Sequence, residues 1–98
     1  SEQERGVTGF RVVMGLTPNY TDTSQPGMGV DGVSPEGPAQ LAGMQAGDRI
    51  ISIGGKMVNN VYDYMASTRN NKPGDVVEVI VLRGGERVTL SVTLAGAR

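Results

Sequence analysis

The clearest pattern in the chain is an alternation of apolar and polar residues towards its C-terminal end. Apolar residues take every second position in two successive runs, namely Val77, Val79 and Val81, then Val88, Leu90 and Val92. Such alternation is typical of strands with one buried face. Between the runs stands Arg83-Gly84-Gly85-Glu86, whose glycines can adopt the positive φ of a two-residue turn. The pattern therefore predicts a hairpin in which Val81 faces Val88 and all the apolar side chains share one face.

The N-terminal half carries further strand and turn signals. Another alternating run predicts a strand through Phe10, Val12, Met14 and Leu16. Residues 21–27 are polar and rich in turn formers, which indicates an exposed loop. Short apolar runs predict strands at Met28–Val33 and at residues 50–53. Residues 38–42 form a predicted short helix, with proline in its first turn and Gly43 beyond its last.

One longer helix is predicted over residues 61–70. Asn60 is a favourable N-cap, Asp63 adds a carboxylate to the first turn, and Lys72-Pro73-Gly74 stops the helix. Strands outnumber helices, and both helices fall between strands. The expected architecture is therefore a small, mostly antiparallel sheet or partial barrel closed by two helices.

Composition narrows the chemistry that the chain can perform. The 98 residues, of which 38% are hydrophobic, are enough for one domain, and Cys and His are both absent. Their absence removes thiol nucleophiles, the usual zinc ligands and the usual general base, so we expect neither catalysis nor a bound metal. The 9 basic residues offset 10 acidic ones without clustering, so a nucleic-acid partner is not expected. No apolar run reaches the ~20 residues of a membrane span, so direct membrane insertion is not expected either.

Three apparent motifs are better explained by turns. Gly27-Met28-Gly29-Val30-Asp31-Gly32 has the spacing of a dinucleotide fingerprint, but a polar loop precedes it and Ser34-Pro35 follows where a helix should run. Side-chain capping explains Glu36 and Asp48 better than a metal cluster with Asp31 does. Ser52 and Lys56 could be read as a Ser–Lys catalytic pair, but nothing in the sequence supplies an oxyanion hole or a substrate cleft. No cofactor is therefore expected.

The most specific segment joins a helix cap, an aspartate-closed turn, an apolar strand and a diglycine turn. It reads Gly43-Met44-Gln45-Ala46-Gly47-Asp48-Arg49-Ile50-Ile51-Ser52-Ile53-Gly54-Gly55 and resembles the corresponding part of a PDZ domain. Flanking segments extend the resemblance to about residues 12–94. The glycine loop near the start and the full strand at the end are similar to the permuted PDZ domains of bacterial envelope proteases.

The resemblance implies an α+β, mostly β fold, a PDZ-like, partly open antiparallel barrel or sandwich of five to six strands with two helices. It places the domain at residues 10–95, with 1–9 as an N-terminal extension and 96–98 as a C-terminal tail. Because the chain begins with Ser and not Met, we expect an excised domain or a processed fragment.

The resemblance also implies a binding site. PDZ domains add an extended peptide, usually a free C-terminus, to a sheet edge beside a helix. The loop that would hold the peptide carboxylate corresponds to Val13, Met14, Gly15 and Leu16, with Arg11 just upstream. The strand that would pair with the peptide corresponds to Leu16, Thr17, Asn19 and Tyr20. On the second helix, Tyr62, Ala66 and Arg69 are expected to face the groove, while Val61, Met65 and Thr68 are expected to face mainly the core.

Two features depart from the family pattern. The start of the second helix lacks histidine, which argues against a ligand with Ser or Thr two residues before its terminus and favours an apolar tail. Pro18 removes one amide donor from the pairing strand. Strand addition could therefore be short or weak, and a spacer domain without a ligand of its own is an open alternative.

The expected function is that of a noncatalytic peptide-binding module of a larger bacterial exported peptidase. Its partners would be peptide or protein C-termini with an apolar tail and the neighbouring peptidase domain of the same chain. The family resemblance implies a periplasmic or secreted location. Met14-Gly15-Leu16-Thr17-Pro18-Asn19-Tyr20, together with Tyr62-Asp63-Tyr64, resembles domains of secreted zinc aminopeptidases, while trypsin-like envelope proteases and site-2-type membrane proteases are alternative parents.

Overall fold

A computed structural model describes residues 12–21 and 23–96. The described chain forms two antiparallel sheets and two helices, and neither sheet closes on itself. The six-stranded sheet has the order β2-β3-β4-β6-β7, with β5 beside β4, and the other sheet pairs β1 with β8. The mostly β fold with two helices is thereby confirmed. In chain order the elements are β1 (Val12–Val13), β2 (Leu16–Asn19), β3 (Met28–Val33), α1 (Pro38–Leu41), β4 (Arg49–Ile53), β5 (Lys56–Met57), α2 (Val61–Ser67), β6 (Val76–Arg83), β7 (Glu86–Thr93) and β8 (Ala95–Gly96).

The C-terminal hairpin has the predicted register. Val81 lies opposite Val88 and Arg83 opposite Glu86, so the two glycines make the turn. Val77, Val79 and Val81 of β6 are buried in the core with Leu90 and Val92 of β7, and Val88 packs against them partly buried. Local alternation and a glycine turn were sufficient signals here because both act between neighbouring residues.

The alternating run near the N-terminus is not one strand. It breaks at Met14 and Gly15, where Gly15 has a φ of +74°. Before the break, β1 pairs with β8, and after it β2 pairs with β3. A residue with positive φ lets the chain leave one sheet and enter the other, and glycine adopts that conformation at little cost. Phe10 lies outside the described residues.

The helix α2 begins where predicted and ends earlier. The side chain of Asn60 accepts a hydrogen bond from the Asp63 amide at 2.9 Å, while the Asp63 carboxylate accepts the Asn59 amide at 2.9 Å. This reciprocal cap fixes the first turn. The helix ends at Ser67 rather than residue 70, and the Ser67 hydroxyl donates to the Tyr64 carbonyl at 2.6 Å. Serine, threonine and asparagine compete for backbone groups in this way and are weak helix formers.

The buried carboxylate of Asp48 pairs with the partly exposed Arg83 beside the apolar core. Asp48 is 2% exposed; its carboxylate accepts the Gln45 amide at 2.9 Å and both Nε and Nη2 of Arg83 at 2.8 and 2.7 Å. Arg83 also donates to the Gly43 carbonyl at 2.9 Å. Burial alone raises the pKa of Asp48, but the Arg83 and Gln45 hydrogen bonds outweigh it and hold that pKa below its usual value. The pair ties the turn before β4 to the end of the hairpin.

Candidate functional site

An open groove lies between the edge strand β2 and the helix α2. The strand β2 stands at one end of the six-stranded sheet, so one of its edges is free of β3. A cavity of about 810 Å³ occupies one end of this groove. Its walls come from the loop between β1 and β2, from the last turn of α2, and from the two residues that follow that helix. The lining residues are Val12, Val13, Met14, Gly15, Leu16, Ser34, Tyr64, Met65, Thr68 and Arg69.

The loop between β1 and β2 directs two amide groups away from the body of the domain. The Met14 carbonyl accepts the Ala39 amide of α1 at 2.7 Å, and the Gly15 carbonyl accepts the Ser34 amide at 2.8 Å. In a trans peptide unit the C=O and the following N–H point in opposite directions, and no cis peptide bond occurs in the described chain. The N–H groups of Gly15 and Leu16 are therefore directed away from α1 and β3, and both residues line the cavity.

Gly15 is required by this arrangement for two reasons. Its φ of +74° is unfavourable for any residue with a Cβ atom. A Cβ at this position would also lie 3.2 Å from Cδ of Pro38 and 3.4 Å from Cα of Gly37. Successive amides around a positive-φ glycine form a concave site for an anion. The loop is thus suited to hold a carboxylate.

The helix wall differs from the sequence expectation by about one position. Arg69 lines the cavity as expected, but Ala66 lies outside the lining and is exposed. Met65 and Thr68, which were expected to face mainly the core, line the cavity instead. The reason is that α2 packs against the core through Val61 and Tyr64. Residues at helical spacing beside those anchors consequently face the groove.

Tyr62 occupies a different part of the groove. It is 77% exposed and lies with Asn19 and Tyr20 around a second, smaller cavity of about 350 Å³ at the opposite end. Tyr62 thus leaves the larger cavity open. Leu16, Thr17 and Asn19 belong to β2, whereas Tyr20 follows it in a bend.

Tyr64 is a lining residue that sequence reasoning missed. Burial raises the pKa of its phenol to about 12, and the nearby Tyr20 adds to the effect, so the hydroxyl stays protonated at neutral pH. Tyr64 is three positions after Val61 and four before Thr68, so the three residues share one helix face, and this spacing could have predicted its place beside the groove. Arg69 is the one charged side chain among the lining residues that the structure describes. Arg11 lies outside the described residues.

Within residues 12–21 and 23–96, no cluster of three or more potential metal-ligating side chains occurs. Nor is any helix there long and apolar enough to cross a membrane.

Comparison with known families identifies the fold. A family model described as PDZ domain matches residues 7–94. The chain therefore belongs to the PDZ domain family, as its sequence resemblance implied. PDZ domains bind an extended peptide by adding it to a sheet edge, and β2 provides such an edge here.

Particular relatives are bacterial proteases. The serine endoprotease DegS of Escherichia coli (strain K12) is 40% identical over 68 residues, which cover 69% of this chain and 19% of DegS. The HtrA-type protease AlgW, solved with a decapeptide, superposes with a TM-score of 0.85 at 23% identity, covering 98% of this chain and 33% of AlgW. An aminopeptidase N family protein from Idiomarina loihiensis superposes with a TM-score of 0.77 at 27% identity, covering 91% of this chain and 14% of that protein.

The chain spans about a fifth of the length of the DegS relative. It is a PDZ domain matching those of HtrA and DegS-type proteases, and it is a noncatalytic module. In such proteases the peptidase activity lies in another domain. An aminopeptidase as the parent protein stays a prediction.

Proposed function

We propose that this domain captures the free C-terminus of a peptide or protein in the groove between β2 and α2. The observation that carries the proposal is the direction of two amides. The carbonyls of Met14 and Gly15 are bound to α1 and to Ser34, so the N–H groups of Gly15 and Leu16 are turned outward at the cavity. A ligand carboxylate would accept these hydrogen bonds, and charge-assisted bonds of this kind are stronger than neutral ones. The AlgW structure, which holds a decapeptide, supports a peptide as ligand.

The side chain of the last ligand residue would enter the cavity beside the loop. Met14, Leu16 and Met65 supply apolar surface there, and Tyr64 stays neutral. An apolar side chain gains free energy in such surroundings, at about 25 cal/mol for each Å² removed from water. We therefore propose an apolar tail, with Arg69 attracting the terminal carboxylate from the end of α2.

The alternative function is a structural spacer that keeps the fold without binding a ligand. Pro18 in the pairing strand motivates this alternative. A spacer would have a groove filled by Tyr62 or by the loop at residues 21–27. The larger cavity is lined by neither, which favours binding.

For the whole protein, we propose that the domain serves a larger bacterial peptidase in the periplasm or outside the cell. It would deliver substrate tails to the neighbouring catalytic domain or dock on that domain to regulate it. The similarity to DegS supports a serine endoprotease as parent, and the aminopeptidase likeness supports the other parent that the sequence suggested.

The test is binding of a C-terminal peptide library to the purified domain, with each hit repeated as its C-terminal amide. We expect hits with apolar last residues whose binding is lost on amidation, because the amide removes the charge that the loop amides would stabilise. Binding that survives amidation would contradict carboxylate capture. An absence of binding at millimolar peptide would favour the spacer.

A further inference from the structure

Pro18 stands on the strand that borders the groove, and its main chain faces the groove rather than β3. Its partner in the sheet register is Val30. The Val30 amide donates to the Asp48 carbonyl at 2.9 Å, and the Val30 carbonyl accepts the Gly47 amide at 2.8 Å. Both main-chain groups of Val30 are thus directed towards β4. No ladder bond from Val30 reaches Pro18, so the pair is the non-hydrogen-bonded kind of an antiparallel ladder.

The register along the rest of β2 agrees with this orientation. Gly15 is hydrogen-bonded to Ser34, so the next pair, Leu16 and Val33, is non-hydrogen-bonded, and the main chain of Leu16 faces the groove. The register shifts between Thr17 and Pro18. Prolines in sheets are found at such irregularities and on edge strands, where no ladder donor is missed.

The groove edge therefore offers few main-chain partners. Leu16 presents both N–H and C=O, whereas Pro18 presents C=O alone. Beyond it, the Asn19 side chain accepts both the amide and the hydroxyl of Thr21 at 3.0 Å, and this turn ends the strand. Two residues, one of them lacking a donor, make up the edge within β2.

We infer that this groove pairs with only the last three residues of a C-terminal tail, because Pro18 limits further strand addition. This inference rests on the proposed function. In an antiparallel pair, residues that exchange both hydrogen bonds recur every second position. The last ligand residue would exchange both bonds with Leu16, and the third from the end would lie opposite Pro18. That third residue finds an acceptor for its N–H and no donor for its C=O.

The ligand class that follows is a short exposed tail. The carbonyl of the third-from-last residue must stay bound to water, and residues further upstream gain little from the edge because β2 ends at Asn19. The groove would accept the end of a folded protein that projects by three residues as readily as an unfolded segment. Selectivity would then reside in the last residue and in its carboxylate.

The test measures affinity against ligand length. N-acetylated peptides of three, five and seven residues and a two-residue peptide with a free N-terminus, which lacks the carbonyl opposite Pro18, all end as one library hit ends. They are titrated into the wild-type domain, Pro18→Ala and the control Pro73→Ala. Pro73 is exposed and lies outside the lining of the groove. We expect wild-type affinity to level off at three residues. Pro18→Ala should bind the five-residue peptide about fivefold more tightly, as one added hydrogen bond predicts, with no change for the two-residue peptide. Pro73→Ala should match the wild type throughout.

A second measurement changes the ligand and leaves the protein intact. In this ligand an ester replaces the peptide bond after the third-from-last residue. The ester carbonyl, which lies opposite Pro18, is a weaker hydrogen-bond acceptor than the amide carbonyl it replaces. We expect wild-type affinity to stay within about twofold and Pro18→Ala to lose the gain made by its new donor. A large loss of wild-type affinity would overturn the inference, because it would show that this carbonyl already has a protein donor.

The outcomes distinguish the limit on ligand length from the proposed capture of a C-terminus. Carboxylate-dependent binding that strengthens about tenfold between three and seven residues would overturn the length limit and leave C-terminal capture intact. Binding indifferent to amidation would overturn C-terminal capture itself. An absence of binding for every peptide would overturn both.

Discussion

At the scale of single residues, the groove depends on a few main-chain directions. The loop at Gly15 is held from behind, since its carbonyl and that of Met14 are engaged by Ser34 and Ala39. A loop fixed in this way exposes its amides before any ligand arrives, so little ordering is needed on binding. A side chain at Gly15 would place its Cβ 3.2 Å from Cδ of Pro38, which is tighter than an ordinary contact.

The substitution Gly15→Val should weaken peptide binding by at least ~1.4 kcal/mol, a tenfold loss. Valine is strained at positive φ, and its Cβ would press on Pro38, so the loop must move and its amides with it. The matched control is Gly85→Val, which also has positive φ but has open space around it in the hairpin turn. Both variants should lose stability, and titration should show a binding loss for Gly15→Val alone. Equal affinities would place the carboxylate elsewhere.

At the scale of elements, the sequence pattern predicts structure formed by neighbouring residues better than structure that depends on distant contacts. The hairpin and the cap at Asn60 were predictable because the partners are close in sequence. The break at Gly15 was not, because an alternating pattern does not tell which sheet each half joins. The face of α2 was misjudged because two adjacent stripes have the same helical spacing, and packing of Val61 and Tyr64 on the core decides between them.

The observed face of α2 predicts different effects at neighbouring positions. Met65→Glu should weaken binding about fivefold or more, because it removes apolar surface and brings a negative charge towards the ligand carboxylate. Ala66→Glu is the matched control, since Ala66 is exposed and outside the cavity lining. The comparison is made by peptide titration at low salt, where charge effects are least screened. A larger effect at Ala66 would indicate that the face first expected from the sequence, with Tyr62, Ala66 and Arg69, lines the groove.

At the scale of the whole molecule, the ion pair between Asp48 and Arg83 links distant parts of the chain. Asp48 and Arg83 are 35 positions apart, and sequence gave no sign that they meet. The aspartate was expected to cap a turn, and it does so through Gln45. Its second partner, Arg83, joins that turn to the hairpin, so the buried carboxylate of Asp48 meets a partly exposed guanidinium at the junction.

Replacing the carboxylate should therefore reduce stability. Asp48→Asn is expected to lower the free energy of unfolding by about 2 kcal/mol at pH 7, because it removes charged hydrogen bonds to a buried group. Asp31→Asn is the control, since Asp31 is exposed on β3. Urea unfolding measures both. Asp48 contributing no more than Asp31 would contradict the structural role of the pair.

The same pair predicts a dependence on pH. Since the pKa of Asp48 is lower in the folded state than its ordinary 3.8, its contribution is complete above that value and is lost as pH falls through the lower folded value. Between pH 5 and pH 2, the stability of the wild type should fall more than that of Asp48→Asn. Parallel curves would mean that other carboxyl groups carry the acid sensitivity.

Pro18 also bears on how the domain behaves when its groove is empty. A sheet edge with an unbroken row of N–H and C=O groups is a template for pairing with another copy of the same chain. Here the row is interrupted after Leu16, and the turn at Asn19 closes it. The end of the edge that is proposed to hold a ligand terminus stays open, whereas edge-to-edge self-association, which needs a longer run of donors, is disfavoured. The proline proposed to limit strand addition would thus also protect an unoccupied domain from aggregation.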